Sequence, residues 1–326
     1  MMFDYQKICQ ELISDLPQRQ KEVLLRRFAL FAAAGVERET LEAIGDSFGI
    51  TRERVRQIEE DGLKKVKPKV KKYQKIFQYF KQYLKKSGGF KKEATLLEEL
   101  GGKKLQNQIY FLLNLDSNFE RMGETAEFFS LWFIGRGTPS KAKEILNLLS
   151  CKLEKIKTPL SLKEIGSFFS LNNSALSSCL EISKKIQKNP EGLFGLTHWP
   201  EINPRGTKDK AYLVFKKAGE PLHFSKVADL IEGSLVQTVH NELIRDPRFV
   251  LIGRGIYALS EWGYCPGQVK DVISKVLKEE GPLTKEEILE KVLRQRLVKE
   301  NTILLNLSNK KHFLRDSQGK YKVLEI

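Results

Sequence analysis

Cysteine, histidine, methionine and tryptophan are all scarce in this chain of 326 residues, which contains 4, 4, 3 and 3 of them. No two cysteines form a Cys-X-X-Cys pair and the histidines lie far apart, so the spacing predicts neither a disulfide framework nor a metal site. We expect reduced, buried thiols of a cytoplasmic protein at all four cysteines: Cys9, Cys151, Cys179 and Cys265.

Long apolar runs and catalytic motifs are missing as well. The longest apolar run, residues 28–36, is too short to cross a bilayer, and the mixed, polar first ten residues do not resemble a secretion signal. The chain contains no Walker or Rossmann fingerprint and no spacing that suggests a Ser/His/Asp or Cys/His arrangement. We therefore expect no enzymatic activity, no cofactor, no small-molecule substrate and no membrane partner.

Positive charge is abundant and unevenly distributed. The formal net charge is +15 and the isoelectric point about 9.5. Residues 52–92 contain 15 Lys and Arg against 4 Asp and Glu, a net of +11 in about an eighth of the chain. Such a block suits a polyanion, and nucleic acid is the polyanion it favours. A solvated lysine-rich helix is the alternative.

Residues 40–66 have the pattern of a helix-turn-helix. Gly49 suits a left-handed turn between two helices, and Thr51 is a candidate N-cap of the second helix. The inward positions of that helix recur at helical spacing at Val55, Ile58 and Gly62. Its opposite face carries long hydrogen-bonding side chains of the kind that read base edges in a major groove: Arg52, Glu53, Arg56 and Gln57.

Two segments, residues 16–28 (LPQRQKEVLLRRF) and 51–59 (TRERVRQIE), resemble region 4 of primary sigma-70 family factors. The resemblance implies that the second helix reads a promoter −35 element in double-stranded DNA through the four side chains just named. It also implies that other polar residues contact DNA nearer the phosphates: Thr51, Arg54, Lys64, Lys65 and Lys67. A helical hairpin that binds only protein remains the alternative.

The same resemblance implies RNA polymerase as a partner. Sigma region 4 docks on the flap of the polymerase β subunit, and four apolar residues would lie in the helix to test for docking, with core packing as their default role: Leu24, Leu25, Phe28 and Leu30. The chain shows no counterpart of sigma region 2, which opens the −10 element. We therefore expect a bacterial, cytoplasmic and nucleoid-associated regulator that uses a −35 reader, and not a stand-alone initiation factor.

A repeat of about 60 residues follows. Pro159, Pro221 and Pro282 are 62 and 61 residues apart, each followed by a helical pattern and then by an alternating β-hairpin pattern. Three helices and a hairpin are the layout of a winged helix. The predicted fold is mainly α with small β-hairpin wings, in five parts: a helix-turn-helix domain with a basic tail at 1–72, and winged-helix copies one to four at 73–136, 138–203, 205–264 and 265–326.

The third copy resembles the HARE-HTH family in residues 210–212, 219–224 and 248–262. That family includes the N-terminal domain of the polymerase delta subunit, so the resemblance implies a DNA or polymerase partner. Candidate secondary DNA contacts lie on the third helix of this copy and at its hairpin tip: Gln237, His240, Asn241 and Arg254.

The sequence as a whole predicts a sequence-specific DNA-binding transcription regulator that acts with RNA polymerase. Two alternatives stay open. One is an architectural protein that binds any duplex, and the other is a delta-like polymerase subunit that acts through protein contacts.

Overall fold

The computed structural model describes residues 3–32, 36–135, 137–169 and 171–324. The predicted end of the first copy, Arg136, lies outside the described residues, as do Ser170 of the second copy and residues 325–326 of the fourth. The chain divides into two compact units, residues 1–197 and residues 198–326. The fold class is the predicted one, mainly helical with small antiparallel sheets.

The regular elements of the N-terminal segment are all helices where it is described. Three of its helices begin at a side-chain cap, because Asp4, Thr40 and Thr51 each accept a hydrogen bond from the backbone N–H three residues later. The helices are α1 (Tyr5–Ile13), α2 (Gln18–Arg27), α3 (Leu41–Phe48), α4 (Arg52–Val66) and a 3-10 helix (Lys67–Tyr73).

The first copy forms a three-stranded sheet beside three helices. Its first strand follows the first helix and pairs with the last strand of the hairpin, so that Phe90 lies opposite Phe133. The sheet order is β1-β3-β2, antiparallel throughout. The elements are α5 (Gln74–Lys86), β1 (Phe90–Lys92), α6 (Glu93–Gly101), α7 (Gln106–Leu115), β2 (Glu120–Met122) and β3 (Leu131–Phe133).

One apolar core joins the N-terminal helices to the first copy. Leu12 of α1 and Phe28 after α2 belong to the same buried cluster as Phe80 and Trp132 of the first copy. Phe28 meets Phe111 of α7 edge to face, with ring centroids 5.1 Å apart. The predicted boundary at residue 72 therefore does not separate two cores.

The second copy packs against the first. A bridge pairs Phe128 with Ser183, and the Phe129 backbone N donates to the Ile182 carbonyl at 2.9 Å. The Glu127 carboxylate forms ion pairs with Lys143 at 2.6 Å and with Lys185 at 2.8 Å. Hydrogen bonds from these two lysines lower the pKa of Glu127 to about 2. The elements are α8 (Thr138–Ile156), α9 (Leu162–Gly166), α10 (Asn173–Ile182), β4 (Ile186–Lys188) and β5 (Phe194–Leu196).

The second unit contains the third and fourth copies, each with three helices and a hairpin. The third copy has a sheet of order β6-β8-β7, and the fourth has a β9–β10 hairpin. The elements of the third are α11 (Gly206–Ala218), β6 (Leu222–His223), α12 (Phe224–Asp229), α13 (Val236–Arg245), β7 (Phe249–Gly253) and β8 (Ile256–Leu259). Those of the fourth are α14 (Val269–Glu280), α15 (Lys285–Gln295), α16 (Glu300–Leu307), β9 (Phe313–Arg315) and β10 (Tyr321–Val323).

Arg296 ties these two copies together. Its guanidinium is almost fully buried and donates to the carbonyls of Leu251 at 3.1 Å, Cys265 at 2.6 Å and Gly267 at 2.8 Å. The next backbone N, that of Leu297, donates to the Ile252 carbonyl at 2.7 Å. The four copies therefore pack in neighbouring pairs, as small domains with limited cores tend to do.

Two further properties concern the described residues. None of their helices is both long enough and apolar enough to cross a membrane. All four cysteines are free, and three are buried as expected, but Cys151 is exposed because it lies on the outer face of α8.

Candidate nucleic-acid interface

A small core of its own holds the helix-turn-helix together. Val23 of α2, Ile44 of α3 and Val55 of α4 are fully buried against one another, with Ile58 beside them. The buried positions of α4 recur three or four residues apart, so one face of this helix is buried and the other faces solvent. The predicted inward stripe at Val55, Ile58 and Gly62 is buried.

Two glycines determine the turn. Gly49 ends α3 with φ of +64°, in the left-handed region that favours glycine. A Cβ on Gly45 would lie only 2.7 Å from the Ile50 carbonyl oxygen, so the chain returns across α3 at a distance that only glycine permits. The Thr51 hydroxyl then accepts from the Arg54 backbone N at 3.2 Å. The angle between α3 and α4 is thus fixed by backbone contacts.

Ion pairs and hydrogen bonds connect α2 to the helix-turn-helix. Arg26 makes a bidentate pair with Glu39 at 2.9 and 2.6 Å, and it donates to the Ser47 hydroxyl at 2.6 Å. Arg27 lies 3.4 Å from the carboxylate of Glu59 on α4, whose burial raises its pKa. These contacts orient α4 from its buried side and leave its outer face unobstructed.

The structure brings the predicted base-reading residues together on that outer face. Arg52, Glu53, Arg56 and Gln57 are all exposed. At about 100° per residue, Glu53, Gln57 and Lys64 follow the middle of the exposed face. Arg52, Arg56 and Lys67 lie on one flank, and Arg54 and Lys65 lie on the other. The arrangement is a polar row with cations on both sides.

Arg56 is held within its own helix. Its guanidinium donates to the Glu53 carboxylate at 2.9, 3.0 and 3.2 Å and to Glu60 at 3.1 Å. Pairing with Glu53 raises the pKa of Arg56, and the pKa values of Glu53 and Glu60 are lowered by Arg56 and Lys64 respectively. A base or phosphate that receives Arg56 must therefore compete with these two carboxylates.

The other residues predicted to contact DNA differ in whether their side chains already have a partner within the protein. The Thr51 hydroxyl caps α4, and Arg54 donates to the side-chain oxygen of Gln57 at 3.0 Å. Lys64 lies 3.3 Å from Glu60, and Lys65 reaches Gln20 of α2 at 3.0 Å. Lys67 is exposed at the end of α4.

The four apolar docking candidates lie in the core. Leu24, Phe28 and Leu30 are buried, and Leu25 is partly buried against the same core. They fill the space between α2 and the first copy, so their side chains are not presented to a partner in this structure. Core packing, their default role, is the one that the structure supports for them.

The candidate secondary DNA contacts of the third copy lie beside exposed apolar side chains. Gln237 donates to Asn241 on the exposed side of α13 at 3.2 Å, whereas the ring of His240 is half-buried and stacked 4.2 Å from Phe224. Leu235 and Ile244 beside them are 74% and 62% exposed. Arg254 is exposed in the tight turn between β7 and β8.

Comparison with known proteins identifies the N-terminal motif. Residues 12–67 match the family described as sigma-70, region 4. RNA polymerase sigma factor RpoS of Coxiella burnetii (strain RSA 493 / Nine Mile phase I) is 41% identical over 64 residues, a segment that covers 20% of this chain and 17% of that relative. The family match covers α2 and the helix-turn-helix, where the predicted sigma region 4 resemblance is confirmed. The HARE-HTH resemblance of the third copy stays a prediction.

Glu60 was not among the residues predicted from the sequence for this face. It lies four residues after Arg56 and four before Lys64, the helical spacing at which opposite charges meet, so the pattern was present in the sequence. Among the described residues, no cluster of three or more His, Cys, Asp or Glu side chains could hold a metal ion.

Proposed function

We propose that this chain is a sequence-specific DNA-binding transcription regulator whose α4 reads a −35-type promoter element. The observation that carries the proposal is the outer face of α4, where a row of hydrogen-bonding side chains lies between two cationic flanks. A recognition helix in a major groove needs this layout, because base edges lie at the centre of the groove and phosphates line both sides. The region 4 match over residues 12–67 supports the same assignment.

The proposed roles combine position on the helix with the resemblance to sigma region 4. Glu53 and Gln57 lie centrally and would read base edges, together with Arg52 and Arg56 at the start of the helix. Arg54, Lys64, Lys65 and Lys67 would contact phosphates, and Thr51 would place the N-terminus of α4 near them through its cap. The Glu53 carboxylate would release Arg56 when it accepts a hydrogen bond from a cytosine amino group.

RNA polymerase is the proposed protein partner. The support is the sigma region 4 match and the relative named an RNA polymerase sigma factor. Because the four apolar candidates of α2 and its following turn are needed for the core, we place no docking contact on them. Such a regulator would act in the bacterial cytoplasm at the nucleoid.

Fluorescence anisotropy tests the proposal directly. The full chain is titrated into a duplex carrying TTGACA and into a scrambled duplex, each across a salt series. Preference for TTGACA at physiological salt supports promoter reading. Equal affinity with a steep salt slope would instead identify an architectural protein, which the excess of lysines also favours.

Paired variants separate base reading from phosphate contact. Arg56→Ala with Gln57→Ala should weaken binding to TTGACA by roughly 5- to 150-fold per lost bidentate contact and leave scrambled DNA nearly unaffected. Lys64→Ala with Lys65→Ala and Lys67→Ala should weaken both duplexes and flatten the salt slope by about 0.9 per lost phosphate contact. Equal losses on both duplexes from the first pair would exclude base reading by these side chains.

A further inference from the structure

The lysines after α4 are unusually free of partners. The chain is helical without a break from Arg52 to Lys86, through α4, the 3-10 helix and α5. Lys69 pairs with Asp15, and Lys72 lies near Glu11. Within the described part of the chain, the other six lysines after α4 form no ion pair: Lys67, Lys71, Lys75, Lys81, Lys85 and Lys86.

Three of these lysines line one groove. Lys67, Lys71 and Lys81 lie on one wall of a groove of about 530 Å³, with the amides of Gln74 and Gln78 between them. The opposite wall is the end of α7 and the turn that leads into the hairpin of the first copy, residues 115–118. The groove therefore lies between the basic helical segment and the turn that joins α7 to β2.

The lining has the chemistry of a phosphodiester site. Ammonium groups and neutral amide donors are the side chains that most often contact phosphate and sugar oxygens. The one acidic side chain in the described lining, Asp116, already accepts from the backbone N and Nδ2 of Asn118 at 2.9 and 2.7 Å. An anionic backbone would thus meet three unpaired cations and a single, internally engaged carboxylate.

Position links this groove to the face of α4. Lys67 lies eleven residues after Arg56, which is about three helical turns, so both lie on the same flank. Lys67 also lines the groove. With rises of about 2.0 Å per residue in the 3-10 helix and 1.5 Å in α5, the path from Lys67 to Lys81 is about 24 Å long, a length that matches about seven nucleotides of one strand at 3.4 Å each.

We propose that this groove binds the sugar–phosphate backbone of the DNA that flanks the element read by α4. The inference rests on the proposed function, because it takes the DNA on α4 as its starting point. It extends the contact from the helix-turn-helix to the first winged copy. Lys71, Lys81, Gln74 and Gln78 then become DNA-contacting residues that contribute affinity without reading sequence.

The test compares two variants of equal charge. Lys71→Gln with Lys81→Gln removes two cations from the groove, and the matched control, Lys85→Gln with Lys86→Gln, removes two from the C-terminal end of α5, outside the groove. Each full-length protein is titrated into TTGACA duplexes of about 12 and about 30 base pairs over a salt series. Thermal unfolding by circular dichroism verifies that both variants remain folded.

The expected result is specific to the long duplex. Wild type should bind 30 base pairs more tightly than 12, and the groove variant should lose that gain. Its salt slope on the long duplex should be flatter than that of the control by about 1.8, for two lost phosphate contacts. Gln78→Ala should weaken binding to the long duplex with little change in slope, because it removes a donor without changing the charge.

Three outcomes would overturn the groove assignment. Equal effects of the two double variants would mean that only overall charge matters. Equal wild-type affinity for both lengths would mean that flanking DNA does not reach the groove. If a single-stranded RNA is titrated in parallel and the groove variant loses affinity for that RNA alone, the groove is assigned to RNA. A length gain that depends on Lys71 and Lys81 without any preference for TTGACA would refute base reading by α4 and leave the groove intact.

Discussion

Gly45→Ala is the sharpest single perturbation of the proposed reader. The new Cβ would lie 2.7 Å from the Ile50 carbonyl oxygen, with the Arg52 backbone N at 3.4 Å. Comfortable van der Waals separation is about 3.5 Å, so the turn would have to move by roughly 0.8 Å. The clashing atom belongs to the backbone and cannot rotate away, so the displacement passes to the start of α4.

The magnitude follows from two opposing terms. Overpacking of this kind costs about 1–3 kcal/mol, and replacing a helical glycine by alanine returns up to about 1 kcal/mol. We expect a net local destabilisation of about 1–2 kcal/mol, which corresponds to roughly 5- to 30-fold faster opening. Donor–acceptor distances of good hydrogen bonds vary by only about 0.5 Å. A shift of this size at Arg52 would therefore break a hydrogen bond to a base edge.

The assay is hydrogen exchange of the α3 and α4 amides, combined with anisotropy on the TTGACA duplex. Gly62→Ala is the matched control, because it is the same substitution in the same motif. Its nearest neighbour is the movable side-chain atom Cδ1 of Leu24, at 3.3 Å. We expect Gly45→Ala to speed exchange and weaken DNA binding far more than Gly62→Ala does. Indistinguishable results from the two variants would refute the argument that the turn positions the reader.

Three other variants test separate parts of the structure. Glu60→Gln releases Arg56 from one of its two carboxylates, so all duplexes should bind about two- to five-fold more tightly by anisotropy; unchanged affinity would contradict this. Phe28→Ala should lower the free energy of unfolding by about 3–5 kcal/mol in urea titrations, and a small loss would reopen its docking role. Glu127→Gln should lower the melting temperature equally from pH 8 to pH 5. Because the pKa of Glu127 is depressed to about 2, its stabilisation is complete above its usual pKa near 4.5 and fades as the pH falls towards 2; a difference that varies between pH 8 and 5 would contradict the assignment.

The helix-turn-helix could be predicted from sequence because its determinants are local. The Thr51 cap, the left-handed Gly49 and the spacing of Val55, Ile58 and Gly62 all fall within fifteen residues. Each fixes a backbone feature without help from distant parts of the chain. The exposure of Arg52, Glu53, Arg56 and Gln57 follows from the same spacing, whereas their role in reading bases stays a proposal.

The burial of the α2 segment could not be predicted in this way. Phe28 is buried because Phe111, 83 residues further on, packs against it. The amphipathic pattern of α2 is equally compatible with a docking surface and with a core contact, and only tertiary packing decides between them. The groove beside Lys71 was missed for the same reason, since its second wall comes from residues 115–118.

The shared core makes a further prediction about where the chain can be cut. A fragment of residues 1–72 retains every residue of the helix-turn-helix but exposes Leu12 and Phe28, whose partners Phe80 and Phe111 are removed. We expect this fragment to unfold without cooperativity and to lose DNA binding, whereas residues 1–197 should melt cooperatively and bind as the full chain does. Circular dichroism melts and anisotropy on the TTGACA duplex distinguish the two. A cooperative transition of fragment 1–72 with full affinity would show that the small core around Val55 suffices, and that the first winged copy serves DNA binding only through its own surface.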